Sequence, residues 1–224
     1  MKKIKVIITG ATGMIGKAAL IECLESDKVA SVLVVNRKSV AVQHPKLKEI
    51  IHKDFFNLDS IKAELSGYDA CFFCLGISSI GMNEATYYKI TYELTEQFAS
   101  TLYRLNPNMV FNYVSGQGTD STEKGRVMWA RVKGKTENMV FNKGFKDAYA
   151  VRIGGVWPVK GVRSKTGWVN AIYTIMKPFA PLFRRGSSLV DSSTVGLAMI
   201  NSVFHPQENK ILRNKELQVL GNLD

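Results

Sequence analysis

The sequence predicts an α/β protein built on a doubly wound parallel sheet with a small C-terminal cap. Three observations carry that prediction. Short apolar, β-branched runs alternate with longer helical runs through the first two thirds of the chain. A glycine-rich turn, Thr9-Gly10-Ala11-Thr12-Gly13-Met14-Ile15-Gly16, directly follows the first of those runs. Finally, 224 residues with 46% hydrophobic and 22% charged content suit one sizeable, soluble core, read here as a single domain in which residues 155–224 supply the cap.

Ile4 to Thr9 is nearly all apolar and β-branched, as expected of a strand covered by helices on both faces. Met14 to Glu25 follows with a helical repeat. Ser31 to Val35 is a second buried strand and Glu49 to Lys53 a weaker third. Leu58 to Leu65 is a short helix closed by Ser66-Gly67, and Ala70 to Leu75 a fourth strand. A long helix is expected from Asn83 to Arg104, ended by Asn106-Pro107. Met109 to Ser115 is the fifth strand, Gly125 to Asn142 a helix, and Ala148 to Ile153 the sixth strand. Gly155 to Lys165 reads as a loop, followed by an interrupted amphipathic helix from Gly167. A helix over Ser192 to Phe204 and a last strand near Glu216 to Leu220 complete the chain.

Bulk properties narrow the function classes. Thirty Lys and Arg against 19 Asp and Glu give a net charge of +11. The basic residues are dispersed, so they read either as a solvated surface or as partners for phosphates, and nucleic acid is not the expected ligand. Three cysteines cannot pair completely. Cys71 and Cys74 form a C-x-x-C, but three residues apart on a strand they point to opposite faces, which fits core thiols better than a redox or zinc pair. His44, His52 and His205 show no ligand spacing, so no metal site is expected. The N-terminus lacks the apolar length of a signal peptide, and the most apolar later stretch, Trp168 to Phe183, is broken by Lys177, Pro178 and Pro181. A cytoplasmic protein with no membrane span is the expectation.

The glycine turn sits between a buried strand and a helix, the context in which such a motif holds a dinucleotide. Gly10 allows the tight turn, Gly13 lets backbone approach a pyrophosphate, and Gly16 lets the helix pack closely on the sheet. Thr12, Met14 and Ile15 complete the cradle, whose free N–H groups face the anion. The alternative is a tight turn without a ligand. An NAD site usually carries an acid at the end of strand two; here that position reads Asn36-Arg37-Lys38. With no carboxylate and with Arg37 able to fork onto a 2′-phosphate, NADP is expected over NAD. Arg37 and Lys38 as solvated loop charges are the alternative.

These residues resemble the extended and atypical short-chain dehydrogenases/reductases. Phe111-Asn-Tyr-Val-Ser-Gly-Gln-Gly118, Val132-Lys-Gly-Lys-Thr-Glu137, Tyr149-Ala-Val-Arg-Ile-Gly154, Gly167-Trp168 and Asp191 to Ala198 are similar to the Tat-interacting-protein-like branch. The likeness covers essentially the whole chain and implies an NAD(P)-dependent oxidoreductase on a Rossmann fold, NADP(H)-dependent if Arg37 is read as above, acting on an unidentified small molecule. It further implies that Asp54 and Phe55 contact adenine, that Leu75 and Gly76 lie along the cofactor, and that Lys133 holds the nicotinamide ribose.

Active members of that superfamily place a Tyr four residues before the Lys, where its phenol donates a proton to a carbonyl being reduced. Here that position holds Trp129, whose indole N–H donates a hydrogen bond but cannot supply a proton near neutral pH. The Ser-Ser pair after strand five reads Ser115-Gly116. Ser115 is then either a substrate contact or a strand-end cap. Ser115, Lys133 and Trp129 are thus the candidate catalytic positions. Two readings stay open: chemistry with another acid, with Tyr113, Tyr87, Tyr88 and Tyr92 as candidates by type, or a cofactor-binding sensor or scaffold without turnover.

Gly161 to Arg185 mixes five basic residues with aromatic and aliphatic ones. Cover for the sheet or for a second copy in a homodimer is the simplest expectation. A substrate lid and peripheral contact with an anionic membrane are the alternatives.

Overall fold

The computed structural model describes residues 2–162 and 189–223. Seven parallel strands form the main sheet: β1 (Ile4–Thr9), β2 (Val29–Asn36), β3 (Leu47–Ile51), β4 (Ala70–Phe73), β5 (Val110–Gly116), β6 (Asp147–Ile153) and β9 (Ile211–Leu212). Their order is β3-β2-β1-β4-β5-β6-β9, which reverses direction between β1 and β4. Doubly wound sheets open a ligand crevice at such a reversal, beyond the carboxyl ends of the strands. A separate two-stranded sheet joins β7 (Gly155–Trp157) to β8 (Leu189–Asp191) in parallel.

The strands' period of two divides their side chains between two cores. Val6, Ile8, Val32, Val34 and Phe72 face one layer with α1 (Met14–Glu25), α5 (Ser192–Phe204) and α6 (Asn214–Gly221). Ile7, Leu33, Val35, Phe73 and Phe111 face the other, under a 3₁₀ segment (Asp59–Leu65), α3 (Leu94–Leu105) and α4 (Met128–Phe141). Cys71 and Cys74 fall on these opposite faces, and burial raises both thiols above the ordinary range. Phe73 packs within 6.1 Å of the rings of Phe98, Phe111 and Tyr113, so aromatic pairing fills the second layer.

Several boundaries differ from expectation. β3 ends at Ile51 rather than Lys53, which places Lys53 beyond the strand end. The long helix is interrupted: α2 (Glu84–Tyr88) passes through a π-helical turn (Lys89–Glu93) into α3. Gly155 to Trp157 is strand, not loop. Glu216 to Leu220 is helix, not strand, and the strand in this region is Ile211–Leu212. The reason lies in α6: Arg213 N–H donates to Glu216 Oε2 at 3.0 Å, a capping contact that starts a helix just where the apolar pattern invited a strand. Leu217 and Leu220 then meet the core at helical spacing. The expected helix from Gly167 and most of the basic, aromatic segment up to Arg185 lie outside the described residues. Among the described residues no helix is long and apolar enough to cross a membrane, and no group of His, Cys, Asp or Glu is arranged to hold a metal ion.

Candidate functional site

The turn after β1 is built around Gly10 and Gly16, where a side chain has no room. Gly10 has φ +66°, and a Cβ there would lie 2.5 Å from the Cys74 carbonyl oxygen, at the end of β4. A Cβ on Gly16 would overlap the Gly10 carbonyl, so the first turn of α1 presses directly on the loop before it. Gly13 N–H donates to Gly10 O at 2.8 Å, and Gly13, the N-cap of α1, contributes no side chain to cap the helix. The first N–H groups of α1 are therefore left for an external acceptor.

Asn36, at the end of β2, is buried and its Oδ1 accepts the Ala11 N–H at 3.2 Å. This ties β2 to the glycine turn. Among the described residues its buried Nδ2 has no partner, and neither has the Thr9 hydroxyl. An unpartnered buried amide is costly, and one at a cleft wall is a donor waiting for an acceptor.

A cleft of about 850 Å³ opens at this reversal point. Gly10, Thr12, Gly13 and Asn36 form one wall, and Cys74, Leu75 and Gly76 continue from the end of β4. Arg37, Lys38, Ser39 and Lys53 complete it, so among the described residues three cations and no carboxylate line the space. Glu49 of β3 accepts the Ser39 hydroxyl at 2.6 Å and the Val40 N–H at 2.8 Å.

The structure thus brings together Gly10, Thr12, Gly13, Asn36, Arg37, Leu75 and Gly76 at one cleft. Met14 and Ile15 pack instead against the α1-side core, and Gly16 acts through close packing. Asp54 and Phe55 stand beside the cleft rather than in its wall. The Phe55 ring is buried 5.9 Å from Phe98 and stacked on it, and Asp54 Oδ1 accepts the Phe56 N–H at 3.0 Å.

The candidate catalytic positions lie on β5 and α4. Ser115 is buried and donates its hydroxyl to Glu137 Oε1 at 2.5 Å. Glu137, fully buried, is paired with Arg152 of β6, whose Nε lies 3.0 and 3.1 Å from the two carboxylate oxygens. Arg152 also donates to the Ser121 hydroxyl. Ser115 is therefore spent in a charged network between β5, α4 and β6. The Trp129 indole lies against the glycines at and just after the end of β5: a Cβ on Gly118 would meet it at 3.4 Å and one on Gly116 at 4.0 Å. Gly134 has no room for a Cβ because the Asp120 carbonyl occupies that space, which fixes α4 against the same loop.

Lys133 is half-buried on α4, its Nζ 5.8 Å from the centre of the Tyr113 ring. Burial lowers its pKa to about 8, with Glu137 pulling the other way. Tyr113 itself is buried in the core, and burial raises its phenol well above the ordinary range. Tyr87 is likewise buried and raised. Tyr88 and Tyr92 stack on each other at 4.8 Å with Lys135 over both rings. None of these tyrosines lines the cleft.

Lys53, Glu49, Glu137 and Arg152 were missed in the sequence. Two carried a signal: a Glu in the buried face of a helix and an Arg inside an apolar strand each require a buried partner.

Residues 6–127 match the profile of the NAD dependent epimerase/dehydratase family. The chain is 26% identical to Protein HTATIP2 of Rattus norvegicus over 228 residues, covering 99% of this chain and 90% of that protein. Among solved structures it resembles the enzyme WbmF of Bordetella bronchiseptica in complex with NAD+, with a TM-score of 0.68 at 14% identity over 98% of this chain and 77% of that one. UDP-glucose 4-epimerase of Thermotoga maritima, solved with UDP-glucose, gives a TM-score of 0.69 at 12% identity, covering 97% and 81%. The last two likenesses are of fold. With more than half of its length matched by the family profile, the chain belongs to the NAD dependent epimerase/dehydratase family.

Proposed function

We propose that the protein binds a nicotinamide dinucleotide, NADP(H) in preference to NAD(H), and acts as an oxidoreductase of the short-chain dehydrogenase/reductase type on a small molecule. The observation that carries the reading is the cleft at the β1–β4 reversal. It joins a glycine cradle in which Gly10 and Gly16 have no space for a side chain, a helix N-terminus that Gly13 does not cap, an Asn36 Nδ2 unpartnered among the described residues, and Arg37 with Lys38 where a carboxylate would select NAD. The residues present fit the group: Gly10, Thr12 and Gly13 would hold the pyrophosphate, Arg37 a 2′-phosphate, and Leu75 and Gly76 the path toward the nicotinamide. When bound, the dinucleotide supplies a two-electron carrier.

The chain's own contribution to proton handling rests on Lys133. Half-buried and poised near pH 8, it can hold or give up a proton in the working range, which Trp129 cannot. A second reading is favoured by a specific observation. Ser115 is committed to Glu137, and the Trp129 indole covers Gly116 and Gly118, so neither the serine nor the tyrosine of an active relay is presented. On that reading the protein is a dinucleotide-binding sensor or scaffold without turnover.

Following NADPH oxidation with a panel of aldehydes, ketones and quinones separates the two. Steady turnover supports the oxidoreductase. Saturable NADPH binding with no turnover supports the sensor, and no binding overturns both.

A further inference from the structure

Lys53 has no role in the sequence reading, yet it stands in the wall of the dinucleotide cleft. The strand register puts it there. Asn36 pairs with Ile51 across β2 and β3, and the ladder runs one step further through the His52 N–H, which donates to the Asn36 carbonyl at 2.8 Å. Arg37 follows Asn36 on one strand and Lys53 follows His52 on its neighbour. Two parallel strands therefore end side by side, each delivering a cation to the same space.

The turn that carries Lys53 is constructed rather than loose. His52 Nε2 lies 2.6 Å from the Asp54 carbonyl and 2.7 Å from the Asn57 carbonyl and donates to them, so residues 52 to 57 wrap around the imidazole. Phe55 plugs the turn into the core beside Phe98. Opposite, Glu49 holds the Ser39 hydroxyl and Val40 N–H, fixing the chain that follows Arg37 and Lys38. Among the described residues the side chains of Arg37, Lys38 and Lys53 form no hydrogen bond, ion pair or cation–π contact of their own. Fixed backbones, free cationic tips and no carboxylate among the described lining residues describe a site for a compact dianion.

We propose that Lys53 is the second phosphate-binding cation of this cleft: together with Arg37 it grips a phosphomonoester on the adenosine ribose from the β3 side, and Glu49 positions the opposite wall. The proposal rests on the NADP reading above and adds the residue that makes the phosphate site two-sided.

The probes are adenosine 2′,5′-bisphosphate and adenosine 5′-monophosphate, titrated calorimetrically against wild type, Lys53→Met and Lys62→Met. Lys62 is also an exposed lysine and lies outside the cleft, so its variant matches the charge change without touching the site. Loss of a charged hydrogen-bonding partner should weaken the bisphosphate about ten- to a hundredfold in Lys53→Met. Binding of the monophosphate should stay level, and Lys62→Met should behave as wild type. An unchanged thermal midpoint in both variants keeps the result free of folding effects. If Lys53→Met weakens both nucleotides equally, or the bisphosphate no more than Lys62→Met does, Lys53 is not a phosphate contact, while the NADP reading stands. If wild type itself binds the two nucleotides equally, the 2′-phosphate reading falls and this proposal falls with it.

Discussion

The Ser115 hydroxyl donates to the buried Glu137 carboxylate at 2.5 Å, and through Glu137 it is joined to Arg152 on the neighbouring strand. Ser115, which the sequence leaves open as a substrate contact or a strand-end cap, is thus hydrogen-bonded to a structural ion pair. Removing one partner of a buried pair leaves the other charge uncompensated, which costs about 3–5 kcal/mol. Glu137→Ala should therefore lower the urea unfolding free energy by that order. Ser115→Ala should cost less and leave NADPH affinity unchanged. A loss of nucleotide binding in Ser115→Ala would contradict this assignment.

Gly10 adopts φ +66° with the Cys74 carbonyl against its α-carbon face. Gly10→Ala adds a strained backbone, of order 1–3 kcal/mol, and a collision with the end of β4. The expected result is a lower thermal midpoint together with lost NADPH binding. Gly67, also at positive φ (+84°) but with open space around it, is the control: Gly67→Ala should cost stability through backbone strain alone and keep nucleotide affinity. Equal nucleotide affinity in both variants would remove the glycine turn from the binding site.

Lys133 has its pKa lowered to about 8, chiefly because burial disfavours the ammonium. The unfolded chain keeps that proton to a higher pH, near the ordinary lysine value. Between the two values the unfolded state binds more protons, so stability rises with pH; below pH 8 the full cost of the buried charge is present. Lys133→Met should therefore be more stable than wild type at pH 7, and this advantage should shrink toward pH 10. Urea unfolding of both proteins across that range checks it, and an advantage independent of pH would refute the assignment.

Trp129 and Gly116 fit each other, since the indole lies over the glycine where a second serine would stand. Trp129→Tyr alone restores a phenol one turn before Lys133 but not its serine partner. Trp129→Tyr combined with Gly116→Ser should raise NADPH-dependent carbonyl reduction above either single variant. If the double variant matches the singles, the altered relay is not what limits turnover.

Much of this was legible in the sequence because it is local. The β1–turn–α1 unit announced itself through glycine spacing, and five further strands through short apolar runs. What was not legible depends on register and partners. Placing β3 two residues too late buried Lys53 inside a strand and hid it from the cleft, since an exposed, polar edge strand has no sharp apolar boundary. The C-terminal helix was read as a strand because Leu217, Val219 and Leu220 satisfy either period over so short a span, and the Arg213–Glu216 cap decides it. Ser115 could not be assigned from sequence at all: whether a strand-end serine faces a cleft or a carboxylate depends on Glu137 and Arg152, 22 and 37 residues away.

The most direct test of the account is a pair of calorimetric titrations, NADPH and NADH, against the wild-type protein at one ionic strength. The cationic, carboxylate-free end of the cleft predicts that NADPH binds at least about tenfold more tightly, as one charge-assisted contact to the 2′-phosphate would give. Equal affinities, or tighter binding of NADH, would contradict it.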